Sequence, residues 1–203
     1  MNDMLVLQNI KKIFFKGTPN EKVALENLNL SVAPGDFVTI LGSNGAGKST
    51  MFNAILGAFP VEEGNIFLDG EDITFKKDYK RAYDIGCIYQ DPMRGTSPHM
   101  TIEENLSLAY TRKAKRSFFA VNKRDSAYFK ELLATLGLGL EDRMKTQIGL
   151  LSGGQRQAVS LLMATIAGPK LLLLDEHTAA LDPATAKKVL NITTEIVAKH
   201  NIT

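Results

Sequence analysis

The sequence of 203 residues contains one cysteine, three histidines and no tryptophan. The single cysteine, Cys87, excludes an internal disulfide, and neither a second Cys nor a His pair indicates a structural zinc site. The 24 Lys and Arg residues stand against 22 Asp and Glu, so the net charge of +2 gives no electrostatic case for nucleic acid as the main partner. A reducing, cytoplasmic setting is therefore expected.

Long apolar runs are missing too. No strictly apolar run is longer than Leu171–Leu174, whereas a membrane-spanning helix needs about 20 such residues. Residues Met1 to Leu5 carry neither a basic nor a long apolar segment, so no secretory signal is indicated. The expectation is a soluble chain that another protein must hold at any membrane.

The composition that is present, 44% hydrophobic and 23% charged, is typical of one globular domain. Phe37–Leu41 is predicted to be a strand buried on both faces, Leu171–Asp175 a second buried strand, and Asp84–Tyr89 a third. Helical stretches between them predict an α/β fold with a mainly parallel sheet. Residues 5–32 alternate apolar and polar around Gly17–Asn20, which predicts an antiparallel sheet with one wet face.

Residues 91–165 lack buried strands and are predicted to be a helical insertion. Thr101 and Glu104 have the spacing of a capping box for a helix through Tyr110, and a second helix is predicted over Tyr128–Leu136. The chain is therefore interpreted as one domain, with a core in 1–90 and 166–203 and a helical subdomain in 91–165.

A glycine loop after the first predicted buried strand has the pattern Gly-x4-Gly-Lys-Ser and opens a helix that is predicted to stop at Gly57. Backbone N–H groups in such a loop turn inward onto phosphate oxygens, and the helix dipole favours an anion there. Lys48 is expected to reach the β- and γ-phosphates, and the Ser49 hydroxyl to ligate Mg²⁺. The loop comprises Gly42, Ser43, Asn44, Gly45, Ala46, Gly47, Lys48, Ser49 and Thr50.

Two carboxylates follow the apolar strand 171–174, where ligands lie in open α/β sheets. Asp175 can hold Mg²⁺ directly or through water, and Glu176 can polarise an attacking water. A solvated loop start is the alternative reading, which the phosphate loop upstream makes less favourable.

A third motif, Leu151–Gln157, begins another helix. Ser152 and Gln155 have capping-box spacing, and Gly153 and Gly154 expose backbone N–H groups that form a second anion site. An ordinary capped helix accounts for the serine and the glutamine but leaves the double glycine unexplained.

Together these motifs resemble those of the nucleotide-binding subunits of ABC transporters over nearly the whole chain. The matching segments are the Walker A loop at 42–49, the signature at 151–155 and the Walker B strand at 171–176. The resemblance implies a P-loop NTPase core of the RecA-like type, an N-terminal antiparallel β subdomain and a helical subdomain insertion. It also implies an ATPase that uses ATP and Mg²⁺, with Glu176 as catalytic base.

Lesser motifs match as well. Gln90 resembles the family's Q-loop glutamine, which ligates Mg²⁺ and links the nucleotide to the membrane domain. Residues 180–182 resemble the D-loop, and Phe14 or Phe15 resembles the aromatic that stacks on adenine, with Phe14 preferred. The resemblance further implies that the signature acts in trans in a head-to-tail dimer with two ATPs sandwiched; its residues here are Ser152, Gly153, Gly154 and Gln155.

The partners implied by the resemblance are a second nucleotide-binding subunit, an integral membrane permease and an extracytoplasmic substrate-binding protein. The implied location is the cytoplasmic face of the cell membrane, with residues 90–105 forming part of a groove for the permease. Details at 20–21 and 176–180 are similar to bacterial importers, some of them for amino acids. The solute, the direction of transport and the permease are set by surfaces outside this chain.

One departure concerns the switch histidine, which the family carries after a further strand. His200 precedes the start of that strand and is not assigned the role, and His177 is interpreted as a surface residue. The sequence is therefore expected to be a fragment that lacks its last strand or strands. Two alternatives remain open: a soluble ABC-type ATPase that acts on ribosomes or DNA, and a regulatory module that binds ATP without hydrolysing it.

Overall fold

The computed structural model describes residues 3–91, 93–112, 123–176, 178 and 181–203. The chain forms two compact units, the first made of Met1–Ile85 with Asn201–Thr203 and the second of Gly86–His200. The predicted division into a core and a helical subdomain at 91–165 stays a prediction.

The first unit is built on a four-stranded antiparallel sheet. Its strands are β1 (Leu5–Phe14), β2 (Lys22–Val32), β3 (Glu63–Leu68) and β4 (Glu71–Asp72), in the order β2-β1-β3-β4. Leu5 lies opposite Val32 on one side and Leu68 on the other, and all three are buried. The antiparallel sheet predicted from alternation over residues 5–32 is confirmed.

Two helices complete the first unit. Helix α1 (Lys48–Leu56) follows the glycine loop and ends at Gly57, whose φ of 79° lies in the left-handed region, so the predicted stop is confirmed. Helix α2 (Asp78–Arg81) is a single turn.

The buried guanidinium of Arg81 joins these two helices. It donates to the carbonyls of Ala54 and Ile55 in the last turn of α1 at 2.8 Å each, and the Ala54 carbonyl also accepts from the Gly57 N–H at 3.2 Å. It also donates to the carbonyls of Lys76 and Thr74. A single cation therefore holds the carboxyl end of α1 to the chain around α2.

The predicted buried strand at Phe37–Leu41 is wrong. The segment has no strand pairing, and the exposed fractions of Phe37 and Leu41 are 62% and 88%. A strand needs a neighbour for its backbone N–H and C=O groups, and neither sheet in the described part of the chain provides one here. Apolar, β-branched composition indicates the potential for a strand but does not supply its partner.

The second unit is mainly helical. It contains α3 (Ile102–Tyr110), α4 (Lys123–Thr135), α5 (Gly153–Thr165), α6 (Pro183–His200) and a 3₁₀ turn at Ile148–Leu150. The capping box at Thr101 is confirmed, and α4 begins five residues before the predicted Tyr128. Helix α5 forms the centre of this unit, because every residue from Gln157 to Thr165 is buried.

Strands β5 (Ile85–Ile88) and β6 (Leu171–Leu174) pair as a two-stranded parallel sheet, which confirms the two strands predicted in these positions. No helix within the described ranges is long and apolar enough to cross a bilayer.

Replacing Arg81 by Met should lower the free energy of unfolding by about 3 kcal/mol, because buried carbonyls lose a charged donor. Lys80→Met is the matched control, since Lys80 is the exposed neighbour on the same helix turn and its loss should change stability by less than about 0.5 kcal/mol. Urea unfolding of the three proteins measures this. Equal losses in both variants would contradict the role given to Arg81.

Candidate functional site

The glycine loop leads into α1 with its backbone donors free of side-chain caps. Gly45 and Gly47 have φ values of 85° and 90°, which only glycine adopts readily. A Cβ at Gly47 would lie 2.9 Å from the carbonyl oxygen of Ala24, so a side chain there would also clash. No side chain caps α1 at Gly47, and the first turn of α1 holds no acidic residue. The first-turn N–H groups can therefore receive an anion.

Lys48 lies folded across this loop. Its Nζ donates to the carbonyl of Gly42 at 2.6 Å and to that of Ser43 at 3.2 Å. Residues 42–46 are exposed, as is Ser49, while Thr50 is half-buried. The ammonium group is thus held beside an accessible loop by acceptors that a phosphate oxygen can replace.

The two candidate aromatic residues differ in their surroundings. The Phe14 ring packs edge-on against Phe59, with centroids 5.3 Å apart, and is half-buried. Phe15 is 70% exposed and has a φ of 55°. Both belong to the same unit as the glycine loop, and the preference for Phe14 stays a prediction.

Three predicted residues meet at the ends of β5 and β6 in the second unit. The Asp175 N–H donates to the carbonyl of Ile88 at 3.0 Å, which brings the two strand ends side by side. Gln90 Nε2 donates to Glu176 Oε2 at 3.3 Å. Glu176 has a φ of 44°, a conformation that non-glycine residues adopt mainly at turns and functional sites.

Cys87 lies on β5 near this cluster. Burial raises the pKa of its thiol to about 11; a hydrogen bond with Tyr89 lowers the pKa, and the charge of Asp175 raises it. The thiol is therefore neutral near pH 7, which agrees with packing as its role.

The signature helix α5 starts with the predicted capping box. Ser152 Oγ accepts from the Gln155 N–H at 3.3 Å, and Gln155 Oε1 accepts from the Ser152 N–H at 3.2 Å. Sequence reasoning gave Arg156 no role, yet its guanidinium donates to the carbonyls of Gly149 and Leu151 at 3.2 and 3.0 Å. A cation in the first turn of a helix lies near the positive end of the helix dipole, which is unfavourable. The position of Arg156 is thus a feature of the sequence that could have indicated a specific role for it.

The double glycine has a packing role that the sequence did not indicate. A Cβ at Gly154 would lie 2.2 Å from Thr185 Cγ2, so α5 and α6 approach closely only because position 154 lacks a side chain. Asp182 caps the start of α6, because its Oδ1 accepts from the Thr185 N–H at 3.1 Å, and hydrogen bonds from the side chain and backbone of Thr185 lower the pKa of Asp182. The start of α6, directly after Asp182, is thereby packed against the amino end of α5.

The predicted residues thus fall into two groups, with Phe14 and the glycine loop in the first unit and Gln90, the Walker B carboxylates and the signature in the second. His177 and Ala180 lie outside the described residues. His200 is the last residue of α6.

No cluster of three or more His, Cys, Asp or Glu side chains that could hold a metal occurs among the residues described. The candidate ligands Ser49, Gln90 and Asp175 instead offer a hydroxyl, an amide and a carboxylate. Each of these groups carries an oxygen of the kind that Mg²⁺ takes, and this ion keeps several waters and shares substrate phosphates rather than using a full protein cage.

Known proteins match this chain over most of its length. A family model described as ABC transporter matches residues 25–179. The chain is 42% identical over 200 residues to the tyrosine transport ATP-binding protein of Clostridioides difficile (strain R20291), covering 98% of this chain and 80% of that protein. It is 34% identical over 194 residues to the phosphonates import ATP-binding protein PhnC of Lactobacillus johnsonii, covering 93% and 73%.

Solved structures agree with the sequence matches. The ATP-binding cassette MJ0796, solved as a dimer in a post-hydrolysis state bound to ADP and Pi, aligns with a TM-score of 0.82 at 29% identity. The alignment covers 98% of this chain and 84% of that one.

Substituting Gly154 by Ala should destabilise the protein by about 2 kcal/mol, because the new methyl group meets Thr185 Cγ2. Thr185→Ser removes that carbon and keeps the hydroxyl, so it should restore most of the loss in the double variant. Gly153→Ala is the control, because its Cβ would lie 3.4 Å from Leu181 Cδ2, an ordinary contact. Thermal unfolding of Gly154→Ala, Thr185→Ser, their double variant and Gly153→Ala measures these effects. A double variant that is no more stable than Gly154→Ala would contradict this packing role.

Proposed function

Since the chain belongs to the ABC transporter family and is an ATP-binding subunit that hydrolyses ATP to power solute transport across a membrane, we propose that Gly42–Thr50 holds the phosphates and that Glu176 is the catalytic base. The observation that carries the proposal is the start of α1, which no side chain caps and which follows a loop with two glycines, Gly45 and Gly47, in the left-handed backbone region.

Phosphate binding uses this chain's backbone and one cation. The N–H groups of residues 43–50 donate to the α-, β- and γ-phosphate oxygens, where the dipole of α1 adds positive potential. Lys48 exchanges its bonds to the Gly42 and Ser43 carbonyls for the β- and γ-phosphates. Because both bonds are to neutral carbonyls, a charged phosphate oxygen is the stronger acceptor.

Ser49, Gln90 and Asp175 hold Mg²⁺ in this proposal. When bound, the ion neutralises charge on the β- and γ-phosphates. The hydroxyl, amide and carboxylate leave its remaining positions to water and nucleotide, in keeping with the way proteins bind this metal.

Glu176 takes a proton from the attacking water. Its side chain is exposed, and one carboxylate oxygen already accepts from Gln90. That bond orients the carboxylate, and it gives Gln90 a second role as a sensor, because any movement of Gln90 changes the hydrogen bonding of the base.

A partner copy supplies the second half of each nucleotide site. Ser152, Gly153, Gly154 and Gln155 present the amino end of α5, a second anion-binding terminus that we assign to the γ-phosphate of the partner subunit's ATP. Support comes from the dimeric state in which the related cassette was solved with ADP and Pi. Closure on ATP and opening after hydrolysis then move the attached membrane subunit.

The remaining partners are a permease and an extracytoplasmic substrate-binding protein, with this chain peripheral on the cytoplasmic face of the membrane. We assign residues 90–105 to permease docking. Asn105 supports this because its buried side chain fastens the loop before α3, accepting from the Ser97 N–H at 2.8 Å and donating to the Thr101 carbonyl at 2.9 Å. We propose amino-acid import, on the strength of the 42% identical relative named for tyrosine transport.

Glu176→Gln should preserve ATP binding, lower turnover at least about 100-fold and trap an ATP-dependent dimer, because the water loses its base while the phosphate contacts remain. Lys48→Ala is the contrasting variant and should weaken ATP binding itself. Phosphate release and size-exclusion chromatography with Mg-ATP measure these effects. A strictly monomeric Glu176→Gln protein that still hydrolyses ATP would contradict the mechanism.

Removing this chain from a bacterium that carries it should abolish uptake of labelled tyrosine, since the permease then lacks its energy source. Wild-type chain should restore uptake, and Lys48→Ala should not. Unchanged tyrosine uptake with loss of uptake of a solute that is not an amino acid would contradict only the amino-acid assignment. A defect in translation or DNA repair with no transport loss would favour the soluble ABC-type ATPase.

A further inference from the structure

Lys12 is a buried lysine whose ammonium makes two hydrogen bonds. It lies on β1, two residues before Phe14, and only 6% of its surface is exposed, which is rare for this residue type. Its Nζ donates to Glu62 Oε1 and to the carbonyl of Pro60, both at 2.8 Å. With these bonds made, the ammonium is directed away from solvent and toward the segment after α1.

The same ammonium faces two aromatic rings. Its Nζ lies 5.3 Å from the centroid of Phe14 and 4.9 Å from that of Phe59, both within cation–π range. The two rings are themselves perpendicular, at 85°, with centroids 5.3 Å apart. The ring of Phe14 is therefore held by a cation and by a second ring rather than by apolar packing alone.

Glu62 completes the cluster on the backbone side. Its Oε2 accepts from the Ile13 N–H at 2.8 Å, so one carboxylate binds both the Lys12 side chain and the peptide directly before Phe14. Burial raises the pKa of Glu62, but the hydrogen bonds from Lys12 and Ile13 lower it by more, so the carboxylate is charged at neutral pH.

Phe59, Pro60 and Glu62 follow closely after the end of α1 at Leu56. The other end of α1 carries the phosphate-binding turn at Lys48. The cluster of Lys12, Phe14, Phe59, Pro60 and Glu62 therefore ties the candidate base-stacking ring to the helix that binds the phosphates.

We propose that Lys12 is a positioning residue for the purine base: it holds the Phe14 ring as a stacking platform at a fixed place relative to the glycine loop. The proposal rests on the proposed function, in which Phe14 stacks on adenine. Lys12 acts on nucleotide affinity through Phe14 and not through the phosphates, because its ammonium is buried and hydrogen-bonded to Pro60 and Glu62.

Lys12→Met tests this, since it keeps the length of the side chain and removes the charge. The adjacent residue provides a matched control: Lys11 pairs with Glu63 at 3.2 Å, and both side chains are partly exposed. Calorimetric titration with Mg-ATP and with magnesium tripolyphosphate, which lacks the base, separates a base effect from general damage.

Lys12→Met should weaken ATP binding about fivefold and leave tripolyphosphate binding unchanged, and Lys12→Arg should restore ATP binding. Lys11→Met should change neither affinity. Equal weakening of both ligands by Lys12→Met, or the same selective loss in Lys11→Met, would overturn the proposal.

Phe14→Ala separates failure of this inference from failure of its premise. Loss of stacking should weaken ATP binding about tenfold with no change for tripolyphosphate, and adding Lys12→Met to Phe14→Ala should then cost nothing more. If Phe14→Ala has no selective effect while Phe15→Ala has one, the assignment of the stacking ring is wrong. If Phe14→Ala weakens binding of ATP only, but adding Lys12→Met weakens ATP binding by its full further factor, the positioning role of Lys12 is wrong and the stacking role of Phe14 stands.

Discussion

The candidate site depends on the backbone N–H groups at the start of α1, which no side chain caps. A helix begins with backbone N–H groups that need acceptors, and most helices meet that need with a side chain. Helix α5 does so with Ser152, and α3 with Thr101, whereas α1 starts after a glycine and has no cap of this kind. The N–H groups at the start of α1 are therefore available to bind phosphate. Lys48 lies beside them, where it donates to the Gly42 carbonyl, a weaker acceptor than a phosphate oxygen.

Other parts of the first unit serve to hold this turn in place. Gly47 approaches the Ala24 backbone so closely that no side chain fits between them, which seats the start of α1 against β2. At the other end, Arg81 satisfies the last carbonyls of α1. The helix is thus fixed at both ends by contacts from outside it, and its amino end needs no internal cap to stay ordered.

Short-range chemistry was predictable from the sequence and long-range pairing was not. The capping boxes, the stop of α1 at Gly57 and the hairpin of β1 and β2 follow from residues close together in the chain. The strand predicted at 37–41 was wrong because a strand needs a paired neighbour, and that neighbour can lie far away in the sequence. Arg81 and the fit of Gly154 to Thr185 escaped prediction for the same reason, since their partners lie on other elements. The site residues that the family resemblance implied stay a prediction, and the resemblance did not indicate the packing of Gly154 against Thr185.

The backbone at Glu176 has a consequence for any effort to make this protein more heat-resistant. An L-residue with a side chain in the left-handed region carries a cost of about 1 kcal/mol that glycine or asparagine avoids. A screen that rewards folding alone would therefore favour Gly or Asn at this position and discard the carboxylate. With Glu176 as the proposed catalytic base, a library selected only by heat challenge would enrich substitutions at residue 176 that lower ATP turnover, so such a library has to be sorted for activity in parallel.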